Sequence, residues 1–173
     1  MSPIDNKKKQ MEVEDLRQRI ENAQDYDELF EIVKRVVERE AGRHRAGLAL
    51  ILADMPNTVG AYHPVGSNTI VLNRALIKAM KQVIRSTSEI NSFIFMVLMH
   101  EYLHSLGFLS EFDVRKRCQS ICRSALGDDH ITVRMASGNW LEMYPQLTTI
   151  LPRMSNTFEL VERFDSSSMS YIG

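Results

Sequence analysis

Apolar positions recur at helical spacing near the start of the chain. Val13, Leu16 and Ile20 fall on one stripe and predict a helix over Met11–Glu21. The basic stretch Lys7–Gln10 before it is expected to fray. Asp25 or Asp27 then caps a second helix, in which Leu29, Phe30, Val33, Val36 and Val37 repeat to about Ala41 before Gly42 stops it. The opposite faces of both helices are charged, so each has one apolar stripe to bury, behind a sheet or against a second copy in a homodimer. From Gly47 the period changes. Leu48–Ala53 is a continuous apolar run of strand length, broken by the turn Asp54-Met55-Pro56-Asn57. Val59–His63 predicts a second strand closed by Pro64, and Thr69–Leu72 a third, after which Asn73 caps a helix over Ala75–Ile84. These three runs read as a small, mainly antiparallel meander. Prolines and glycines flank Val59–His63, which marks it as the exposed edge.

Ser86 and Glu89 form a capping box that opens a long helix to about Leu106. Phe93–Met99 within it is apolar on every face, so this helix belongs in the middle of a domain. Gly107 permits a left-handed turn, Ser110 caps the next helix over Glu111–Leu126, and Gly127 ends it. Asp128 is expected to cap a short helix through Ala136, ended by Gly138-Asn139, and Trp140, Leu141, Met143 and Tyr144 form an apolar patch before Pro145. Beyond Ser155, Phe158, Leu160, Val161 and Phe164 precede a serine-rich end, which predicts a mobile arm too polar at its end to join a core. The pattern therefore gives one α+β domain over residues 1–153, with an arm over 154–173. Within the domain, N-terminal helices span 1–46, a core 47–126 and a helical part 127–153.

Composition removes several classes of function. A chain of 173 residues, 44% hydrophobic and 25% charged, is long enough for one real core. Its net charge of −1 draws in neither nucleic acid nor membrane, and the basic stretch Arg115, Lys116, Arg117 and Arg123 reads as a solvated helix face. Phe93–Met99 is too short to span a bilayer, and the polar Ser2–Gln10 predicts no secretory signal. Cys118 and Cys122, four apart on a predicted helix, suggest reduced thiols rather than a disulfide framework. A cytoplasmic location is expected.

The candidate chemistry sits in the buried helix. His100-Glu101-Tyr102-Leu103-His104 places two imidazoles one turn apart on one face, as a single zinc ion requires, with Glu101 beside the first. A catalytic zinc takes three protein ligands and keeps one open position. The turn at Gly107 can return a third ligand, and Glu111 is placed for it, with Asp113, Glu142 and Asp128 as other carboxylates. Glu101 would act as general base and acid. Tyr62, His63, Tyr102, His130 and Tyr144 are candidates for stabilising an oxyanion. The edge Val59, Gly60, Ala61, Tyr62 and His63 can receive an extended peptide as one more strand.

His100-Glu101-Tyr102-Leu103-His104-Ser105-Leu106-Gly107, preceded by Gly60-Ala61-Tyr62 and Ser67-Asn68-Thr69-Ile70-Val71-Leu72-Asn73, resembles the zincin metallopeptidases of gluzincin type. Most closely it resembles the minigluzincins, small soluble archaeal zincins that are similar to the catalytic domains of certain integral-membrane metallopeptidases. The resemblance covers roughly Gly47 to Leu126. It implies a small sheet over an active-site helix, a substrate-binding edge strand, His100 and His104 as zinc ligands, Glu101 as base, and Glu111 as the matching third ligand. Ser110 stands where metzincins carry a histidine. In the family a terminal segment can occupy the cleft and hold the enzyme latent, and the arm 154–173 would be the counterpart here. The expected function is thus a peptidase with one zinc ion per chain; the alternative is a non-catalytic zinc module that grips a peptide on its edge strand.

Overall fold

In a computed structural model, residues 3–166 are described. Helix α1 runs Pro3–Asn22 and α2 Tyr26–Ala41. The first strand, β1, is Ala49–Ala53, β2 is Ala61–Tyr62 and β3 is Thr69–Asn73. Then come α3 (Arg74–Val83), α4 (Thr87–Ser105), α5 (Glu111–Leu126), α6 (Ile131–Met135), α7 (Trp140–Met143), a 3-10 turn at Pro145–Thr148, and β4 (Glu159–Leu160). Helix ends follow local chemistry. Asp25 accepts from Glu28 N–H at 2.9 Å at the start of α2, and Gly42 closes it with φ 63. Ser86 and Ser110 cap α4 and α5 through Glu89 N–H and Asp113 N–H, each at 3.3 Å. Only half of the expected capping box forms, because the Glu89 carboxylate takes the Tyr144 hydroxyl instead. Helix α1 starts well before Met11, since Pro3 suits a first turn and Lys and Gln are good helix formers. His130, not Asp128, caps α6.

The sheet departs from the expected meander. It has four strands in the order β2-β3-β1-β4 and is mixed. Strands β1 and β3 pair in parallel, Ala49 opposite Thr69 through Ala53 opposite Asn73. Strand β2 pairs antiparallel with β3, Ala61 opposite Leu72, and is an outer strand as expected, though shorter than Val59–His63. Before it Gly60 O still accepts from Asn73 N–H at 2.9 Å, and after it Pro64 has no N–H to give a ladder.

Helix α4 runs through the core, with Phe93, Phe95, Leu98, Met99, Tyr102 and Leu103 fully buried. Helices α1 and α2 pack chiefly on α4 and α5, rather than behind the sheet as the pattern suggested. No helix among the described residues is long and apolar enough to cross a membrane.

The described part of the arm is docked. Leu160 lies opposite Ile51 on the β1 edge, and Val161 N–H donates to Leu50 O at 2.9 Å. Phe164 stacks on Phe30 with centroids 4.4 Å apart. Asp165 is buried, takes the Leu48 N–H at 3.0 Å and pairs with Lys34, which also pairs with Glu31 at 2.5 Å. The expectation of a mobile arm fails up to residue 166 because one aromatic and one carboxylate find buried partners; the rest of the serine-rich end lies outside the described residues.

Candidate metal centre

Helix α4 supplies two imidazoles and α5 returns a carboxylate to them. His100 and His104 stand one turn apart, ring centroids 4.9 Å from each other. After α4 the chain reverses at Gly107, whose φ of 94 is costly for any residue with a Cβ. Glu111, the first residue of α5, comes back over α4. Its Oε1 lies 2.9 Å from His104 Nε2 and its Oε2 3.2 Å from His100 Nε2, and the two Nε2 atoms are 3.2 Å apart.

These donors fit a zinc ion. With bonds of about 2.0–2.1 Å, the ligand atoms of a tetrahedral site stand about 3.3 Å apart, close to the separations seen here. The proton arrangement fits as well. His104 Nδ1 lies 2.8 Å from Phe108 O, and a carbonyl only accepts, so Nδ1 carries a hydrogen and Nε2 is the ring nitrogen turned to the cluster. Burial lowers the His100 imidazole below its ordinary value; Glu111 opposes this, and His104 and Arg115 reinforce it. The neutral form is the one that ligates metal. Among the described residues His100, His104 and Glu111 form the one such group, so Asp113, Glu142 and Asp128 do not enter it.

Glu101 is 6% exposed. Burial first and the Glu111 charge second push its carboxyl up to about 8, against the His63 backbone N–H, which favours ionisation. A cation held next to it would act in the opposite direction to burial.

Glu101, His100 and Glu111 line a cleft of about 180 Å³, with Thr58–Ala61, Met96 and Val97, Arg115, and the segment around Met135–Trp140. Gly60 lets its strand approach α4 closely, since a Cβ there would meet Val97 at 3.3 Å and the Trp140 ring at 3.5 Å. Trp140 is fixed by its Nε1–H, which donates to Asn57 O at 3.2 Å, and by edge-on packing against Phe93. Of the expected substrate edge, Val59, Gly60 and Ala61 line the cleft. Tyr62 and the His63 side chain do not line it, Tyr62 being exposed and His63 Nδ1–H donating to Thr69 O at 2.9 Å, while the His63 backbone N–H reaches Glu101. No residue of 154–166 lines it, so the described arm gives latency no support.

Three of the oxyanion candidates are occupied elsewhere. Tyr102 accepts from Arg45 N–H at 2.9 Å and donates to Arg45 O at 3.1 Å, Tyr144 donates to Glu89, and His130 caps α6. Arg115 is exposed, in keeping with the solvated face read from the sequence, and it also lines the cleft one turn beyond Glu111, a placement that the i,i+4 spacing could have signalled. Comparison with protein-family models, characterised proteins and solved structures finds no match to this chain.

Proposed function

We propose that the chain is a zinc-dependent peptidase, with one ion held by His100, His104 and Glu111. The observation that carries this is the convergence of three donor atoms from two helices beside a buried glutamate. Zinc bound there would supply Lewis acidity, polarising a carbonyl and acidifying a water. Glu101, adjacent to the first ligand, takes a proton from the attacking water and returns it to the leaving amine. An extended peptide can lie along the outer edge of β2, its backbone taking the place of a further strand. The apolar body of α4 keeps bulk water from one side of the site and strengthens the field there. The zincin resemblance of the sequence, gluzincin and minigluzincin in type, points the same way.

A non-catalytic zinc module that grips a peptide is the alternative. The described residues bring three ligands together and no fourth, which favours an open position and turnover. Metal analysis of zinc-replete protein, with His104→Ala as control, and hydrolysis of a peptide library test the proposal. One zinc per chain, lost in His104→Ala, is expected. Glu101→Gln should retain the metal and lower turnover about 10²- to 10⁴-fold. Stoichiometric zinc with no cleavage of any peptide would leave the gripping module instead.

A further inference from the structure

Arg115 has no part in the roles above, yet two observations place it at the cleft. It stands one turn beyond Glu111 on α5, its Nε 3.9 Å from Glu111 Oε2, an ion pair too long for a firm hydrogen bond. Its guanidinium also lies against Gly138, where a Cβ would sit 3.0 Å from Nη1. The positive φ of 93 at Gly138 disfavours a larger residue there. Arg115 is the one lysine or arginine among the residues lining the cleft, and about half of its side chain faces solvent.

A divalent cation at the cluster would draw on the Glu111 charge and leave the guanidinium fork turned to the cleft without a matched anion. A planar fork of this kind matches a carboxylate through paired N–H donors. We propose that Arg115 binds a carboxylate of the substrate, an inference that rests on the peptidase reading. One helical turn is about 5.4 Å and an extended peptide advances about 3.3 Å per residue. The anion therefore lies one or two residues from the bond that is cut. It is either a C-terminal carboxylate or the side chain of Asp or Glu.

The test uses the zinc-loaded full chain carrying Glu101→Gln, so that bound peptides persist. Calorimetry compares an apolar pentapeptide as free acid and as amide, and the amidated peptide with Glu or Gln at its centre. One charged form should bind about 10- to 100-fold more tightly than its neutral counterpart, and that form identifies the source of the carboxylate. Adding Arg115→Gln should reduce the ratio to about two-fold or less with zinc content unchanged, and Arg115→Lys should restore only part of it. The proposal is overturned if neither charged peptide is preferred. It is also overturned if Arg115→Gln weakens all forms alike or releases zinc, for then Arg115 only positions Glu111. A chain that takes up no zinc sinks the peptidase reading and this one together; an unsubstituted chain, with Glu101 in place, that cleaves these peptides without regard to charge sinks this one alone.

Discussion

Asn73 ties the cleft wall to the sheet through a single amide. It is fully buried. The two hydrogens of its Nδ2 are shared among the carbonyls of Met55, Pro56 and Val59 at 3.0, 3.0 and 2.7 Å, and its Oδ1 accepts from Met55 N–H and Leu76 N–H at 3.1 Å. Alanine here would strand several buried backbone groups. Asn73→Ala should cost about 3 kcal/mol in urea denaturation. It should also weaken peptide binding more than zinc binding, because the Met55–Val59 loop and not α4 loses its support. Peptide and zinc titrations on the same variant separate the two effects. Single residues were unevenly legible in the sequence. His100, Glu101 and His104 announce themselves by spacing, and Asn73 was read as a helix cap, which it is. Its hold on the preceding loop was not readable, because it depends on where that loop folds. The same holds for Tyr102: a tyrosine two residues from a candidate ligand looks catalytic until its hydroxyl is found on the Arg45 backbone.

At the scale of elements, the α4–turn–α5 unit is where local sequence determined most. Ser86, Gly107 and Ser110 are punctuation that needs no distant partner, so both helices and the reversal between them could be placed from the chain alone. The sheet could not, because pairing depends on which strands meet. Strands following one another through short turns suggested a meander, but β1 and β3 are near-continuous apolar runs, ALILA and TIVLN. That is the composition of strands buried on both faces and paired in parallel, and it outweighed proximity along the chain. Gly107 gives the prediction at this scale. Nothing lies within 4 Å of where its Cβ would stand, so Gly107→Ala tests backbone conformation alone. It should cost about 1–2 kcal/mol. It should also lower zinc affinity by about 10-fold or more, since the turn carries Phe108 O, which orients His104, and delivers Glu111. Chelator competition measures the affinity, and an unchanged value would detach the turn from the metal site.

For the molecule as a whole, the segment after residue 158 decides whether the fold closes or the cleft is guarded. Its described part, 159–166, pairs with the β1 edge, at the other end of the sheet from β2. Its Asp165 pairs with buried Lys34, itself beside Glu31. Burial works against the Lys34 ammonium, but Asp165 and Glu31 outweigh it and hold it above its ordinary value. A raised amine pKa contributes fully below the unfolded value of about 10.4 and is lost as pH rises through the folded value. Stability should therefore fall as pH rises above about 10, and Asp165→Asn should flatten that decline while lowering stability at neutral pH, as urea midpoints across this range would record. A chain ending at residue 158 loses more: the β4 pairing, the Phe164 stack on Phe30 and the Asp165 contacts go together. Removing one partner of a buried pair alone costs about 3–5 kcal/mol, so the truncated chain should unfold at much lower urea and should not gain activity. If the segment were an inhibitor lying in the cleft, truncation would raise peptidase activity and leave stability nearly unchanged. Measuring both quantities on the same truncated protein distinguishes a strap that completes the core from a guard over the site.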